Sequence, residues 1–230
     1  MYVPVTLEPE LGKHIAQHLL ASSTAVTIVD RIFYPDELGP SNLVSNSLLT
    51  LHIGGDIRNT TLLSSVFTSD VVGVVHLAGI SRVVHCEENP PDCTDVNERG
   101  TQLVLDSLEQ LNKQDQGKRW FVLASSLAVY GDATTPGPIG EDAPTKPSSV
   151  YGASKLAAER TVEARARSIQ SSNNAGTLYA VALRLSHVYG SLYDPGDRLI
   201  PSLVTQALWN QVIQVSGGEQ FVRLSYSNDK

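Results

Sequence analysis

RWFVLASSLAVYG, residues 119–131, decides how the rest of this chain reads. Arg119 to Ser126 is an apolar run with aromatic and branched residues, which predicts a buried strand. The run leaves through two hydroxyls and Leu127 into AVYG. Thr134 to Ser149 then carries four prolines and two glycines and predicts a surface loop. YGASK, Tyr151 to Lys155, opens a long helix expected from about Val150 to Ser168. Strand, loop and helix in that order form one unit of an alternating α/β chain.

The flanking sequence repeats the unit. Strands are expected at Tyr2 to Thr6, Thr24 to Asp30, within Leu48 to Asp56, at Val71 to Gly79, from Thr177 toward Gly190, and at Val212 to Val215. VVGVVHLAG (Val71 to Gly79) has the length and continuous apolarity of a strand buried on both faces. Helical spacing places helices at Pro9 to Leu20, Asn97 to Leu111 and Ile200 to Gln211. Such alternation predicts a doubly wound parallel sheet covered on both faces, with ligands beyond the carboxyl ends of the strands.

Composition narrows the function classes. Apolar residues make up 41% and charged residues 18% of the 230, an ordinary globular balance. The net charge is −7, from 17 basic and 24 acidic residues with no basic block, which argues against a nucleic-acid or anionic-membrane partner. No apolar run reaches the roughly 18 residues that span a bilayer. MYVPVTLEPE lacks the basic-then-apolar pattern of a secretory signal, so a cytoplasmic location is expected. Cys86 and Cys93 have no partners at metal spacing and read as two free thiols in a reducing compartment. His14 and His18, four apart with no third ligand, read as a helix surface, and no metal site is expected.

The chemistry concentrates at YGASK. Residues four apart share one helical face, so Tyr151 and Lys155 stand side by side. A neighbouring ammonium favours phenolate and is expected to lower the tyrosine pKa. A phenol so tuned can take a proton from an alcohol or return one to a ketone. Ser126, at a strand's carboxyl end, can hold the substrate oxygen beside it. Ser125 is expected to pack or to bond backbone.

HLAG (His76 to Gly79), NERGT (Asn97 to Thr101), SSLAVYG, PIGEDAPTKPSSVYGASKLAAE and LRLSHVYG (Leu183 to Gly190) follow one another in a familiar order, as do IPSL and VSGGEQFVR further on. With these motifs the sequence resembles the extended short-chain dehydrogenase/reductase family, the NAD-dependent epimerase/dehydratase group. The resemblance implies a Rossmann-like domain over residues 1–230, with residues from about 190 onward bordering an incomplete substrate lobe. It also implies catalytic roles for Ser126, Tyr151, Lys155 and Asn97. Lys155 would bond the nicotinamide ribose and Asn97 would support a proton relay. Leu77, Ala78 and Gly79 would line the cofactor, and Asp56 and Ile57 would meet its adenine. Asp56 also reads as a helix N-cap. Asp30, ending a strand, would bond the adenosine ribose and favours NAD over NADP, while the adjacent Arg31 pulls the other way. His187 stands where relatives acting on nucleotide sugars often carry asparagine, a substrate-binding position. A homodimer through the two long helices is a family expectation.

Two departures qualify this. The family's first strand leads into a glycine-rich turn that cradles the pyrophosphate. Here Leu7, Glu8, Pro9 and Glu10 stand in that turn, and Gly12 survives, aligned with the third glycine. A carboxylate about 4 Å from a phosphate charge costs about 4 kcal/mol at an effective dielectric of 20, an upper bound for side chains free to swing into water. The same residues read equally as an acidic helix start with Pro9 near its first position. The chain also ends at RLSYSNDK, near where relatives enter the substrate lobe. The expected activity is therefore an NAD-dependent epimerase or dehydratase on a sugar nucleotide. The alternatives are a hydroxysteroid or other alcohol/ketone dehydrogenase of the same family, and a degenerate relative without turnover.

Overall fold

A computed structural model describes residues 2–4, 9–31, 46–132, 137–171, 176–189, 196, 198–213 and 224–226. Its strands are β1 (Tyr2–Pro4), β2 (Val26–Asp30), β3 (Leu49–Ile53), β4 (Gly73–His76), β5 (Lys118–Ser126), β6 (Thr177–Leu185), β7 (His187–Tyr189) and β8 (Leu224–Tyr226). Its α-helices are α1 (Pro9–Ala21), α2 (Thr60–Val66), α3 (Val83–Glu88), α4 (Pro90–Thr94), α5 (Gly100–Asp115), α6 (Val150–Ser171) and α7 (Leu199–Leu208). A π-helical turn (Asp95–Arg99) joins α4 to α5, and a 3₁₀ turn (Leu127–Tyr130) follows β5.

Among the described residues the sheet runs β3-β2-β1-β4-β5-β6 with every pair parallel. This is the expected Rossmann-like α/β order. The chain reverses direction of travel between β1 and β4, where such sheets leave a crevice at their carboxyl ends. β4 is short but buried on both faces, as its unbroken apolar run requires.

The larger core lies on one face. Val104, Leu105 and Leu108 of α5, with Ala158, Val162 and Ile169 of α6, cover Val74, Phe121, Leu123 and Leu178 of the sheet. α1 covers part of the opposite face, where Ala16 and Leu20 meet Val26, Ile28 and Val75. Coverage there is incomplete. Tyr179, Val181 and Leu183, alternate residues of β6, stay 58%, 48% and 46% exposed on that face.

Local signals explain the helix starts. α1 begins at Pro9, where a missing N–H costs nothing. Asn59 caps α2 by accepting from Leu62 N at 3.1 Å. Ser149 Oγ accepts from Gly152 N at 3.0 Å at the start of α6, and Glu87 of α3 accepts from Val150 N at 2.7 Å. One expectation fails in its described part. Val212 and Ile213 belong to no strand, and residues 214–215 lie outside the described residues. A separate parallel pair, β7 with β8, takes its place. A pair so short carries too little periodicity to be seen in sequence.

Candidate active site

β5 and α6 build the site. Ser126 ends β5, and its Oγ accepts from Ala128 N at 3.2 Å, capping the 3₁₀ turn. α6 then brings Tyr151 and Lys155 back over that strand end. Gly152 makes the approach possible, since a Cβ there would lie 2.5 Å from Ala128 O. The Ser126 hydroxyl stands near enough to the Tyr151 phenol to act on its ionisation. Lys155 Nζ donates to Ala124 O at 3.1 Å and lies 5.9 Å from the centre of the Tyr151 ring.

Gly79 closes the site from the β4 side. A Cβ on Gly79 would stand 2.7 Å from Asn97 Oδ1 and 3.1 Å from Lys155 Nζ. HLAG, NERGT and YGASK, far apart in sequence, therefore meet at one point. Ala78 packs into the main core, and Leu77 packs against the α1-side cluster.

The protonation balance differs from the sequence expectation. Burial pushes the Tyr151 phenol above its ordinary value, while the Ser126 hydroxyl pulls it down. The ammonium of Lys155, 5.9 Å from the ring centre, is not among the causes of the shift. Burial lowers Lys155 itself to about 8. The anticipated drop of the phenol toward neutrality is thus not found.

Asn97 is 1% exposed inside the π-helical turn, a feature that recurs at functional sites. Its Oδ1 accepts from Ile80 N at 2.6 Å, and its Nδ2 donates to Ile80 O at 3.0 Å and Ser154 Oγ at 2.9 Å. The side chain ties the residues after β4 to α6. Behind it, Thr101 Oγ1 donates to Asn97 O at 2.6 Å, so the 3.0 Å contact with His76 Nε2 must be donated by the histidine. His76 Nδ1 is then an acceptor with no partner, and burial first, then Lys155, keeps the ring neutral with a pKa of about 3.

At the other end, Asp30 is buried at the carboxyl end of β2. Asp56 does not cap α2, since Asn59 does. Instead Arg58 engages it, with Nη2 2.7 Å from Oδ2, and this holds the carboxyl below its ordinary range. Arg31 Nε lies 3.9 Å from the same carboxylate. Ile57 is buried against Gly100, where a Cβ would collide with it. Gly12 is buried in the first turns of α1. Leu7 and Glu8 lie outside the described residues, and of Pro9 and Glu10 only the helical backbone is described. His187 is exposed at the start of β7.

Two cysteine and serine expectations are corrected. Cys86 and Cys93 are joined in a disulfide, and among the described residues no cysteine is free. α3 and α4 form adjacent turns that bring the two side chains together, a closeness that spacing alone does not reveal. The bridge packs with Ile80, Val96, Val150 and Tyr151, and Cys93 Sγ lies 3.5 Å from Asn97 Nδ2. Ser125 bonds the Glu159 carboxylate rather than backbone. Glu159 and its partner Arg184 were absent from the sequence reading. Glu159 stands four residues after Lys155 on the same helical stripe, a signal that was available, whereas Arg184 becomes its neighbour only through strand register.

No cluster of His, Cys, Asp and Glu able to hold a metal occurs among the described residues, and no described helix is long and apolar enough to cross a membrane.

The sheet order and the Ser126, Tyr151 and Lys155 arrangement define a Rossmann-type protein of the extended short-chain dehydrogenase/reductase class. The NAD dependent epimerase/dehydratase family matches over residues 10–229, and the chain belongs to that family. It is 29% identical over 227 residues to the UDP-glucose 4-epimerase of Streptomyces lividans, covering 95% of this chain and 60% of that protein. It is 32% identical over 203 residues to a putative UDP-glucose 4-epimerase of Methanocaldococcus jannaschii, covering 87% of this chain and 61% of the relative. The dTDP-glucose 4,6-dehydratase of Streptomyces venezuelae, solved with NAD bound, superposes with a TM-score of 0.82 at 25% identity, over 99% of this chain and 69% of that one. The chain thus spans about 60% of the length of these curated relatives.

Proposed function

We propose that this protein performs NAD-dependent chemistry on a sugar-nucleotide hydroxyl, as an epimerase or dehydratase, through Ser126, Tyr151 and Lys155. The observation that carries the reading is the meeting of those three side chains at one strand end, with Gly79 packed closely against Lys155. The residues suit a dinucleotide across the carboxyl ends of the strands. Gly79 keeps the floor of the crevice free of a side chain, Asp30 stands where a ribose would lie, and Leu77 and Ala78 line the way. Lys155 is the group for the nicotinamide ribose, and Asp56 and Ile57 flank the adenine end. Arg31 lies toward Asp56, which supports NAD over NADP.

NAD, when bound, supplies the hydride acceptor. As the phenolate, Tyr151 would take the proton from the hydroxyl being oxidised, becoming the phenol, and would return it when the ketone is reduced. Ser126 holds the same oxygen in line. Lys155 stabilises the phenolate form that begins and ends the cycle. Asn97 acts from behind, holding Ile80 and Ser154 so that the Gly79 floor and α6 keep their spacing. His187 is kept as a substrate-side residue of the β7 edge, and residues from about 190 onward are read as the border of the substrate lobe. α5 and α6 lie side by side, with Arg165 bridging to Asp106 at 2.6 Å, and form the proposed homodimer face.

Calorimetry is expected to detect NAD binding below about 1 mM, a free energy of roughly −4 kcal/mol. Tyr151→Phe is expected to lower turnover of UDP- and dTDP-sugars by a factor of about 10² or more without altering the melting curve. No heat with NAD at that concentration would instead favour a relative that keeps the fold without the cofactor. Leu7, Glu8, Pro9 and Glu10 in the cradle motivate that second reading.

A further inference from the structure

We propose that Glu159 and Arg184 are positioning residues that set the placement of Ser126 and Tyr151. The proposal rests on the reading of Ser126, Tyr151 and Lys155 as the reacting centre.

Tyr151, Lys155 and Glu159 follow one another at four-residue steps and share one stripe of α6. Glu159 sits one turn below the lysine, against the sheet, with its side chain 9% exposed. Both its oxygens are used. Oε1 accepts from Ser125 Oγ and from Arg184 Nε at 3.0 Å, and Oε2 accepts from Arg184 Nη2 at 2.8 Å. A carboxylate so engaged, paired with a guanidinium, is a structural acceptor.

Arg184 is the register partner of Ser125 across β5 and β6. Its remaining nitrogen, Nη1, donates to Tyr130 Oη at 2.7 Å and to Glu141 O at 3.0 Å. The guanidinium also lies 4.8 Å from the centre of the Tyr130 ring. One planar group therefore touches three pieces of chain. These are the catalytic helix through Glu159, the end of the 3₁₀ turn through Tyr130, and the segment leading into Tyr151 through Glu141. With every nitrogen engaged, Arg184 is not a substrate-binding cation.

Geometry connects this cluster to the centre. Successive residues of a strand project to opposite faces. Holding Ser125 toward Glu159 fixes the direction in which Ser126 leaves the strand end. Tyr130, pinned by Arg184, is the last residue of the turn that Ser126 caps. Glu141, pinned by the same nitrogen, lies on the run that delivers Tyr151. Ser126 and Tyr151 are thus held from both sides by one ion pair whose bonds are to the protein itself. A fork is needed for this work. A lysine is a point donor and reaches only one of the three partners at a time.

The test compares Arg184→Lys with a paired Arg184→Met, Glu159→Met chain, in which neither charge is left buried alone. Amide hydrogen exchange is followed in both, together with NAD calorimetry and turnover of UDP- and dTDP-sugars. The expected result is exchange about tenfold faster in residues 126–131 and 138–151, with residues 100–115 unchanged. NAD affinity is expected within about twofold of the parent, while kcat falls by about 10²-fold at near-constant KM, as for a reacting group displaced by about an ångström. An ion pair with only a structural part would lower the melting temperature and leave kcat at lower temperature untouched. Parent-like exchange around Ser126 and Tyr151, or parent-like kcat with faster exchange, overturns the proposal. A parent protein that neither binds NAD nor turns over a sugar nucleotide overturns the functional reading instead, and the exchange measurement alone then decides the positioning.

Discussion

Gly79 and Lys155 show how single residues set this site. Gly79 packs so closely that an added methyl would collide with Asn97 Oδ1 at 2.7 Å and crowd Lys155 Nζ at 3.1 Å. Gly79→Ala is expected to displace the lysine and weaken NAD binding by about tenfold or more, at a cost of roughly 1–3 kcal/mol from overpacking. Calorimetry beside a urea titration separates the two effects. Lys155 carries a second prediction. Its folded-state value of about 8 lies below its ordinary 10.5. Between those values the unfolded chain holds a proton that the folded chain has released, so stability rises as pH rises through that interval. Below about pH 8 both states are protonated, and the penalty of the buried charge is constant. The full rise is on the order of 3 kcal/mol, and Tyr151, pushed up by burial, opposes it above about pH 10. Urea midpoints at about pH 7.5 and 9.5 are expected to increase in the parent and to stay level in Lys155→Met.

At the scale of elements, α3, α4 and the π-helical turn form a short bent chain of helix between β4 and α5. Three devices hold it. Arg58 reaches from the segment before α2 to Asp95 at 2.8 Å, Asn97 clamps Ile80, and the Cys86–Cys93 bridge ties α3 to α4. The bridge closes a loop with a sequence separation of seven residues. In the chain-entropy account, a loop of that size contributes about 2–3 kcal/mol. In denaturant, both thiols are expected to resist alkylation until a reductant is added. The Cys86→Ser, Cys93→Ser pair is expected to unfold at correspondingly lower urea. Alkylation of both sulfurs without reductant would remove the bridge from the account.

Over the whole molecule, one core carries most of the apolar burial. Phe121 is fully enclosed at the middle of β5, under α5 and α6 and beside His76 at 5.6 Å. Phe121→Ala is expected to cost about 3–5 kcal/mol, read from the urea midpoint, since neither helix can collapse into the gap. The other face is only partly covered, and the exposed alternation of Tyr179, Val181 and Leu183 on β6 marks where described cover ends.

Much of this architecture was legible in the linear sequence. Strand and helix periods are local, so the parallel sheet, α6 and the pairing of Tyr151 with Lys155 follow from residues within a few positions of one another. Ordered motifs placed Ser126, Asn97 and Gly79 on the correct strand ends and helix. What the sequence left open depends on distance in space. The phenol's pKa moved up because burial outweighed the effect of the Ser126 hydroxyl, and burial is a property of the packed molecule. Cys86 and Cys93 met because two short helices fold back at Asn89. Asp56 paired with Arg58 rather than capping a helix. Arg184 found Glu159 only because β6 lies beside β5 in a register that no local pattern specifies. By itself the sequence determined the class of fold and the family, and it named the side chains proposed to carry the chemistry. The tertiary structure decided their ionisation, their covalent tie and their supports, because each of those is set by neighbours far along the chain.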